Sequence, residues 1–598
     1  MRKLVTTILL LTNFVFANQA LAQSVAPVEQ ENIINLQNQI LQRQGQIERD
    51  VKQKQELKEI AIDKQESLRI EEDQDEEKEL ESEAGSVVQK YQSLRCHRIK
   101  EINFSQNKLI SKSQEREFAG HYVNKCLSVE QISDLAKEIT NYLTEQGYTT
   151  SRAEIPVQNL SGQALRVDII EGYLEDIIFN ENNFLDRLQR FSVFGFFKKG
   201  DLLNIRPIEA ALDQINRLQS SNARIKILPG NKKNHSIILV ETFSTKPLHV
   251  NLTYDNNGND RTGSRRETVA VSYDNLLRLN DVISIQRSAN DLDRKRDKDG
   301  GTNSFSTSIS IPFQTYNFAA NYSNSSYFFH SGSAASFKSH GETSTASMSL
   351  DKIISKSKFT KISGGLAFNH RNNRNFIGDV KLEQSSRKAS FLTANYSQSF
   401  FLKNATLLLK PSYSKAINAL DSRQDAGNAA STAAHAEFNI FKLYANYSRN
   451  FEYFSKKFSY NASFDLQQSS KKLYGIDQFS VGGIYSVRGF KNGSISGDSG
   501  YNIRNEISVS LNQLFQSEKL PLHRFSLTPF YDYGYVRSKG GNFSGRLSGA
   551  GAKISFYHQN FDASLTFSKP LQRSHLLNRK DLRDNDAIFF NIHSQFSL

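Results

Sequence analysis

A chain of 598 residues exceeds one ordinary domain, and its 38% hydrophobic content and mean hydropathy of −0.52 exclude a helical membrane protein built from repeated apolar runs of about 20 residues. The net charge of +13 is spread through the second half of the chain and not gathered on one helix, so nucleic acid is not an expected partner. Aromatic residues reach 11% with 41 Phe, 23 Tyr and no Trp, a mixture that suits strands alternating polar and apolar residues.

Arg2 and Lys3 precede a mostly apolar stretch, Leu4 to Ala17, and Ala20-Leu21-Ala22 fits a small-residue cleavage site. Residues 1–22 therefore read as a secretory signal peptide of bacterial type. Export exposes the two cysteines, Cys96 and Cys126, to an oxidising compartment, where an even count predicts one disulfide. Two cysteines without CxxC spacing support neither a zinc site nor redox catalysis.

Residues 23–86 are rich in Gln, Glu and Lys. Ile33, Leu36, Ile40 and Ile47 keep an approximate helical spacing. The acidic run Glu71 to Glu77 has too little apolar content for a core, so this region reads as a helix followed by a charged linker. Residues 87–245 read as mixed α/β. A helix begins at Ser128, carries the stripe Ile132, Leu135, Ile139, Tyr142 and Leu143, and ends at Gly147. Strands are expected near Ile99 and Ile102, around 148–154 and 165–170. After Gly172 the pattern recurs: a strand at 174–179, a helix from about Pro207 to Leu218, and strands at 223–228 and 236–243. Two small αβ units thus stand in tandem, 87–172 and 173–245.

From 246 to 598 the period changes to two. Val250, Leu252 and Tyr254 alternate with Asn251 and Thr253; Phe458, Tyr460, Ala462, Phe464 and Leu466 alternate with polar residues; Phe561, Ala563, Leu565 and Phe567 repeat the pattern. An exported chain with one apolar and one polar face over so long a stretch fits a transmembrane β-barrel better than a soluble sandwich or propeller. Aromatic residues such as Tyr322, Tyr396 and Tyr413 end the stretches as a membrane girdle would. About 353 residues at roughly 22 per strand and connection give about 16 strands. The sequence contains no HExxH, GxSxG or GxxxxGK[ST] pattern, so no metal, cofactor or nucleotide is expected and an enzyme is not. The acids Asp498 and Glu506 are read as structural in preference to an acid/base pair.

Several segments, taken in order, resemble one family. Cys96-His97-Arg98-Ile99, Cys126-Leu127, Gly147 to Ala153, Ile155 to Leu160 and Gly162 to Leu165 mark the first αβ unit. Lys199 to Arg206 and Ile208 to Gln214 mark the second. Asp255-Asn256-Asn257-Gly258, Val487-Arg488-Gly489-Phe490, Gly497 to Tyr501 and Phe530-Tyr531-Asp532-Tyr533-Gly534 mark the barrel. Their order and spacing resemble the TpsB transporters of two-partner secretion, the haemolysin secretion/activation family of the BamA-related outer-membrane superfamily. The terminal Leu598 departs from the Phe common in such barrels.

The resemblance implies two periplasmic POTRA domains before an outer-membrane barrel, and an N-terminal helix able to occupy the pore. It implies a transporter that exports a large secreted TpsA-type protein (haemolysin, adhesin or contact-dependent toxin) through a barrel set in outer-membrane lipid. The alternative is a barrel-assembly factor inserting other outer-membrane proteins. The resemblance also implies that the loop carrying Val487, Arg488, Gly489 and Phe490 folds into the lumen and that Arg488 meets Asp532 of the wall motif Phe530, Asp532 and Gly534. Parity agrees independently. Phe525, Leu527, Tyr531, Tyr533 and Tyr535 share one face, and Asp532 lies on the other, where a carboxylate avoids lipid.

Overall fold

The computed structural model describes residues 96–598 except 181–183, 291–299, 332–336, 358, 384, 426–429, 431–432, 516–520, 540–542 and 578–586. The expected signal peptide, N-terminal helix and acidic linker lie outside the described residues.

The first αβ unit contains β1 (His97–Ile99), β2 (Glu101–Ser105), α1 (Lys112–Gly120), β3 (Lys125–Leu127), α2 (Val129–Glu145), β4 (Arg152–Glu154) and β5 (Ala164–Ile170). β2 runs parallel to β5, and β4 pairs antiparallel on its other side. Ser128 caps α2 with a capping box to Gln131, which satisfies donors that the first turn leaves free. The buried stripe Ile132, Leu135, Ile139 and Leu143 packs on Ile102, Leu165, Val167 and Ile169. Gly147, at φ +94°, ends the helix in the left-handed conformation that glycine adopts without strain. β1 and β3 form a separate ribbon, and the disulfide ties Cys96, just before β1, to Cys126 in the middle of β3 with a Cα–Cα distance of 5.3 Å.

The second unit repeats the scheme with β6 (Tyr173–Phe179), α3 (Phe184–Phe194), α4 (Ile205–Asn216), β7 (Ser221–Pro229) and β8 (His235–Ser244). β8 lies between parallel β6 and antiparallel β7. The helix expected from Pro207 begins two residues earlier, because the Asn204 side chain caps it by accepting from the Arg206 N–H. Its buried residues Ile208, Ala211, Leu212 and Ile215 pack on Ile238 and Val240. Helices α1 and α3 were not expected from the sequence.

The two units meet end to end. The Ile205 N–H donates to the Gly147 carbonyl at 2.9 Å, and Asn204 Nδ2 donates to the Gln146 carbonyl at 3.2 Å. The second unit is fixed in turn to the barrel rim. Arg217 donates to the Asn280 carbonyl at 2.7 Å and to Ser310 Oγ at 2.8 Å. Lys356 meets Asp213 at 2.5 Å, and the Gln314 N–H donates to the Ser192 carbonyl at 2.6 Å.

Among the described residues sixteen antiparallel strands close the barrel, from Leu248–Asp255 to Ala587–Ser597. A further two-residue strand, Val380–Lys381, pairs only with the end of Thr360–Ile377. The last strand pairs with the first from Asn591↔Asp255 to Ser597↔His249, so no edge is left open within the ring. The alternation read from the sequence sorts the two faces. Tyr322, Met348, Leu350, Leu366, Tyr413, Tyr531 and Ile592 are exposed outward, whereas Ser323, Thr343, Asn373, Asn446 and Thr528 are buried toward the interior.

The disulfide closes a loop with a sequence separation of 30. Replacing Cys96 and Cys126 together by Ser should cost the first unit about 3–4 kcal/mol in the chain-entropy account. Limited proteolysis should then cut within 97–172, while the barrel keeps its heat-modifiable migration in detergent gels. A first unit as protease-resistant as before would contradict this.

Candidate functional site

The segment between the strands Lys456–Ser469 and Ser499–Ser510 does not stay outside the barrel. It forms a hairpin of Phe479–Val481 and Ile495–Gly497, and its tip enters the lumen. There Val487, Phe490, Val481 and Ile495 bury themselves against Val536, Leu547 and Leu577. An apolar patch on an otherwise polar lumen gives the tip a definite seat.

Arg488 is 1% exposed, among the largest fully buried side chains of the described residues. Its Nε and backbone N–H donate to Asp532 Oδ2 at 2.7 and 3.0 Å, and Nη2 donates to Oδ1 at 2.7 Å. This fork matches the planar guanidinium to both carboxylate oxygens, which an ammonium cannot do. Nη1 donates to Glu506 at 2.5 Å. The guanidinium carbon lies 3.5 Å from the ring centroid of Phe530, which adds a cation–π contact and explains the aromatic residue two positions before the aspartate. Asp532 is wholly buried and on the interior face, as its parity predicts, while Tyr531 beside it is exposed outward.

The remaining motif residues make room for this contact. Gly489 has φ +107°, and a Cβ there would stand 2.9 Å from the backbone of Lys569 and Pro570. A Cβ at Gly534 would meet Val481 and Val487 side chains at 2.9 Å. The Tyr485 hydroxyl of the tip accepts from Arg266 at 3.0 Å, and Arg266 also donates to Asp255 at 2.7 Å.

The sequence reading took Glu506 as structural without its partner and did not single out Gly549. Glu506 is not paired with Asp498. It faces the lumen with Arg504 and Lys553 at 3.4 and 3.7 Å and supplies the second carboxylate for Arg488. Its parity with Asn502 and Arg504 on a strand was the available signal. Asp498, fully buried, accepts from Leu473 N–H, Gln478, Ser538 and Lys539 N–H. Gly549 is the other omission. A Cβ at this position would collide with the carbonyl oxygen of Arg488. The expected disulfide residues, Cys96 and Cys126, lie in the first αβ unit, apart from this site.

A closed barrel with an apolar outer belt, a polar lumen, an inward loop and tandem αβ units at one rim defines an outer-membrane transporter. Residues 234–556 match the family described as haemolysin secretion/activation protein ShlB/FhaC/HecB, and the chain belongs to that family. Residues 97–172 match the POTRA domain of ShlB type, and 173–229 match a POTRA domain. The chain is 29% identical over 430 residues to the outer membrane transporter CdiB of Dickeya dadantii (strain 3937), covering 70% of this chain and 73% of the relative. It is 26% identical over 466 residues to the hemolysin transporter protein HpmB of Proteus mirabilis, covering 77% and 80%. The solved structure of CdiB from Escherichia coli shares the fold at a TM-score of 0.75 and 24% identity, covering 85% of this chain and 93% of that one. The chain is thus a two-partner secretion transporter and not an enzyme; its barrel lies in the outer membrane and its POTRA domains in the periplasm. The family match favours this over the barrel-assembly alternative.

Gly549→Val should leave the barrel closed but unseat the loop tip. Single-channel recordings in planar bilayers should show conductance raised several-fold. Unchanged conductance would mean that the tip is held by something other than this close approach.

Proposed function

We propose that the chain receives its large partner unfolded in the periplasm and conducts it through the barrel lumen, with the Arg488 loop as the gate. The observation that carries this reading is the buried fork of Arg488 on Asp532 and Glu506, because it holds a loop inside the passage that cargo must use. A paired charge in a shielded site is stable while both partners stay, and loss of one costs roughly 3–5 kcal/mol. The site therefore favours two positions of the loop, docked or released, over a graded range.

Reception of the partner falls to the POTRA domains. Their sheets end in edge strands, β2 and β4 in the first and β6 and β7 in the second, and the edges of β4, β6 and β7 are engaged only in part, at Ala153 by Thr140, at Leu174 by Gly200 and Asp201, and at Ala223 by Asn216. An extended segment can add to such an edge through main-chain hydrogen bonds, which tolerate many sequences. Grooves beside helices α2 and α4 would supply the side-chain pockets that set partner choice. The relatives' names mention hemolysin and heme/hemopexin transport, and a partner of haemolysin, adhesin or contact-dependent toxin type suits the same machinery.

The decisive experiment co-expresses this chain with a large exported protein encoded beside it and quantifies that protein in medium and periplasm. Arg488→Ala should give a folded barrel with secretion reduced at least tenfold. Normal secretion by that variant would remove the gate role. Deletion of residues 87–172 should leave the barrel folded and abolish export, and normal export from that chain would refute reception by the first POTRA domain.

A further inference from the structure

The lumen loop has a second anchorage, on a different part of the wall from Asp532. Just after leaving the strand Lys456–Ser469 the chain makes a single 3₁₀ turn, Gly475–Asp477. The Asp477 side chain is 5% exposed and faces two arginines, Arg371 at 2.5 Å and Arg387. Both belong to the barrel wall. Arg371 lies in the strand Thr360–Ile377, and Arg387 begins the neighbouring strand Arg387–Leu402, with Asn373 opposite Arg387 in the register.

The surroundings reinforce this anchorage. Tyr474 places its ring 4.3 Å from the Arg387 guanidinium carbon. Ile476 packs against the buried cluster of Tyr327, Phe329 and Ile377 on the same side of the wall. Leu473 packs with Phe438 and Ile440. Gln467 donates to the Asp477 carbonyl at 2.8 Å. Asp498, at the loop's exit, accepts from the Leu473 N–H at 2.7 Å and Gln478 at 3.2 Å, so the entry and exit of the loop are tied into one unit. The tip's seat, by contrast, is built from the strands Ser499–Ser510, Phe525–Arg537 and Ser544–His558. Root and tip thus hold different sides of the lumen, and the paired strands Phe479–Val481 and Ile495–Gly497 stiffen the arm between them.

The two anchorages differ in charge. At the tip one arginine is shared by two carboxylates; at the root one carboxylate is shared by two arginines. Releasing the tip removes a cation from a site that keeps Arg504 and Lys553 beside Glu506. Releasing the root, which sits only a few residues after the strand Lys456–Ser469, would leave Arg371 and Arg387 together without their shared counter-charge and would also strip Leu473, Tyr474 and Ile476 from their contacts with the wall. We infer that Asp477, held by Arg371 and Arg387, is the pivot of the loop. When the Arg488 tip lets go, the root stays on the wall formed by Thr360–Ile377 and Arg387–Leu402. The arm then swings about it, and the lumen opens along the strand Phe525–Arg537. Asp477 is a positioning residue, and its role rests on the gate reading given above.

Two spin-label pairs on the full chain test this, read by pulsed dipolar spectroscopy in nanodiscs. The root pair joins Lys472→Cys to Lys381→Cys, and the tip pair joins Lys491→Cys to Lys569→Cys. In Arg488→Ala the tip pair should lengthen by about 10 Å, within the reach of the intervening chain, while the root pair keeps its distance. Adding Asp477→Ala should broaden the root distribution, and Asp477→Glu should keep it narrow. A root pair that lengthens in Arg488→Ala alone, or stays narrow with Asp477→Ala, overturns the pivot. A tip pair that stays short in Arg488→Ala refutes the gate reading itself, and the root pair reports separately from it. Heat-modifiable migration of each variant confirms a folded barrel.

Discussion

One guanidinium in a water-poor part of the lumen organises the barrel interior. Arg488 reaches Asp532 and Glu506 only because its loop turns inward, and it finds them there because both carboxylates point away from lipid. Their direction follows from the two-residue period of the strands and from the cost of a charge facing hydrocarbon. The glycines at 489, 534 and 549 then become necessary, since each removes a Cβ from a place the loop or the wall already fills. Sequence period, lumen polarity and loop position form one chain of cause.

The periplasmic units extend that chain to the other side of the membrane. Gly147 and Asn204 fix the first POTRA domain to the second, and Arg217, Asp213 and Ser192 fix the second to the barrel turns. The contacts with the barrel are mostly hydrogen bonds and ion pairs among buried groups such as Asn280, Ser192 and Asp213. Directional bonds between buried groups are costly to leave unmade, so they hold an orientation. On the proposed mode of reception, an extended segment added to a POTRA edge would be presented at a fixed approach to the barrel mouth.

Much of this was legible from residue order because its causes are local. Alternation over Phe458 to Leu466 gave the barrel, and the stripe from Ile132 to Leu143 gave the long helix of the first POTRA domain. Asp532 could be placed inside by parity alone. Helix α1 was missed because Phe118 is its one buried apolar side chain, so no stripe announces it. The pairing of Glu506 with Arg488 was missed because its partner arrives from another segment, and Gly549 because a glycine within a small-residue strand gives no sign of what approaches it. The anchorage of Asp477 was beyond sequence reading for the same reason. Arg371, Arg387 and Asp477 share no motif, and only closure of the ring brings them together.

The Cys96–Cys126 bridge places part of the folding information outside the chain. The ribbon of β1 and β3 is only three residues on each side and has no broad core of its own. Only Ile99 and Leu127 tie it to the core of the first unit, and the covalent tie adds to them by restricting the unfolded chain. In a reducing cytoplasm the tie does not form, so the first POTRA domain matures only after crossing the inner membrane. Oxidation thereby acts as a compartment check: the first POTRA domain gains its covalent tie only on the side of the inner membrane where it works.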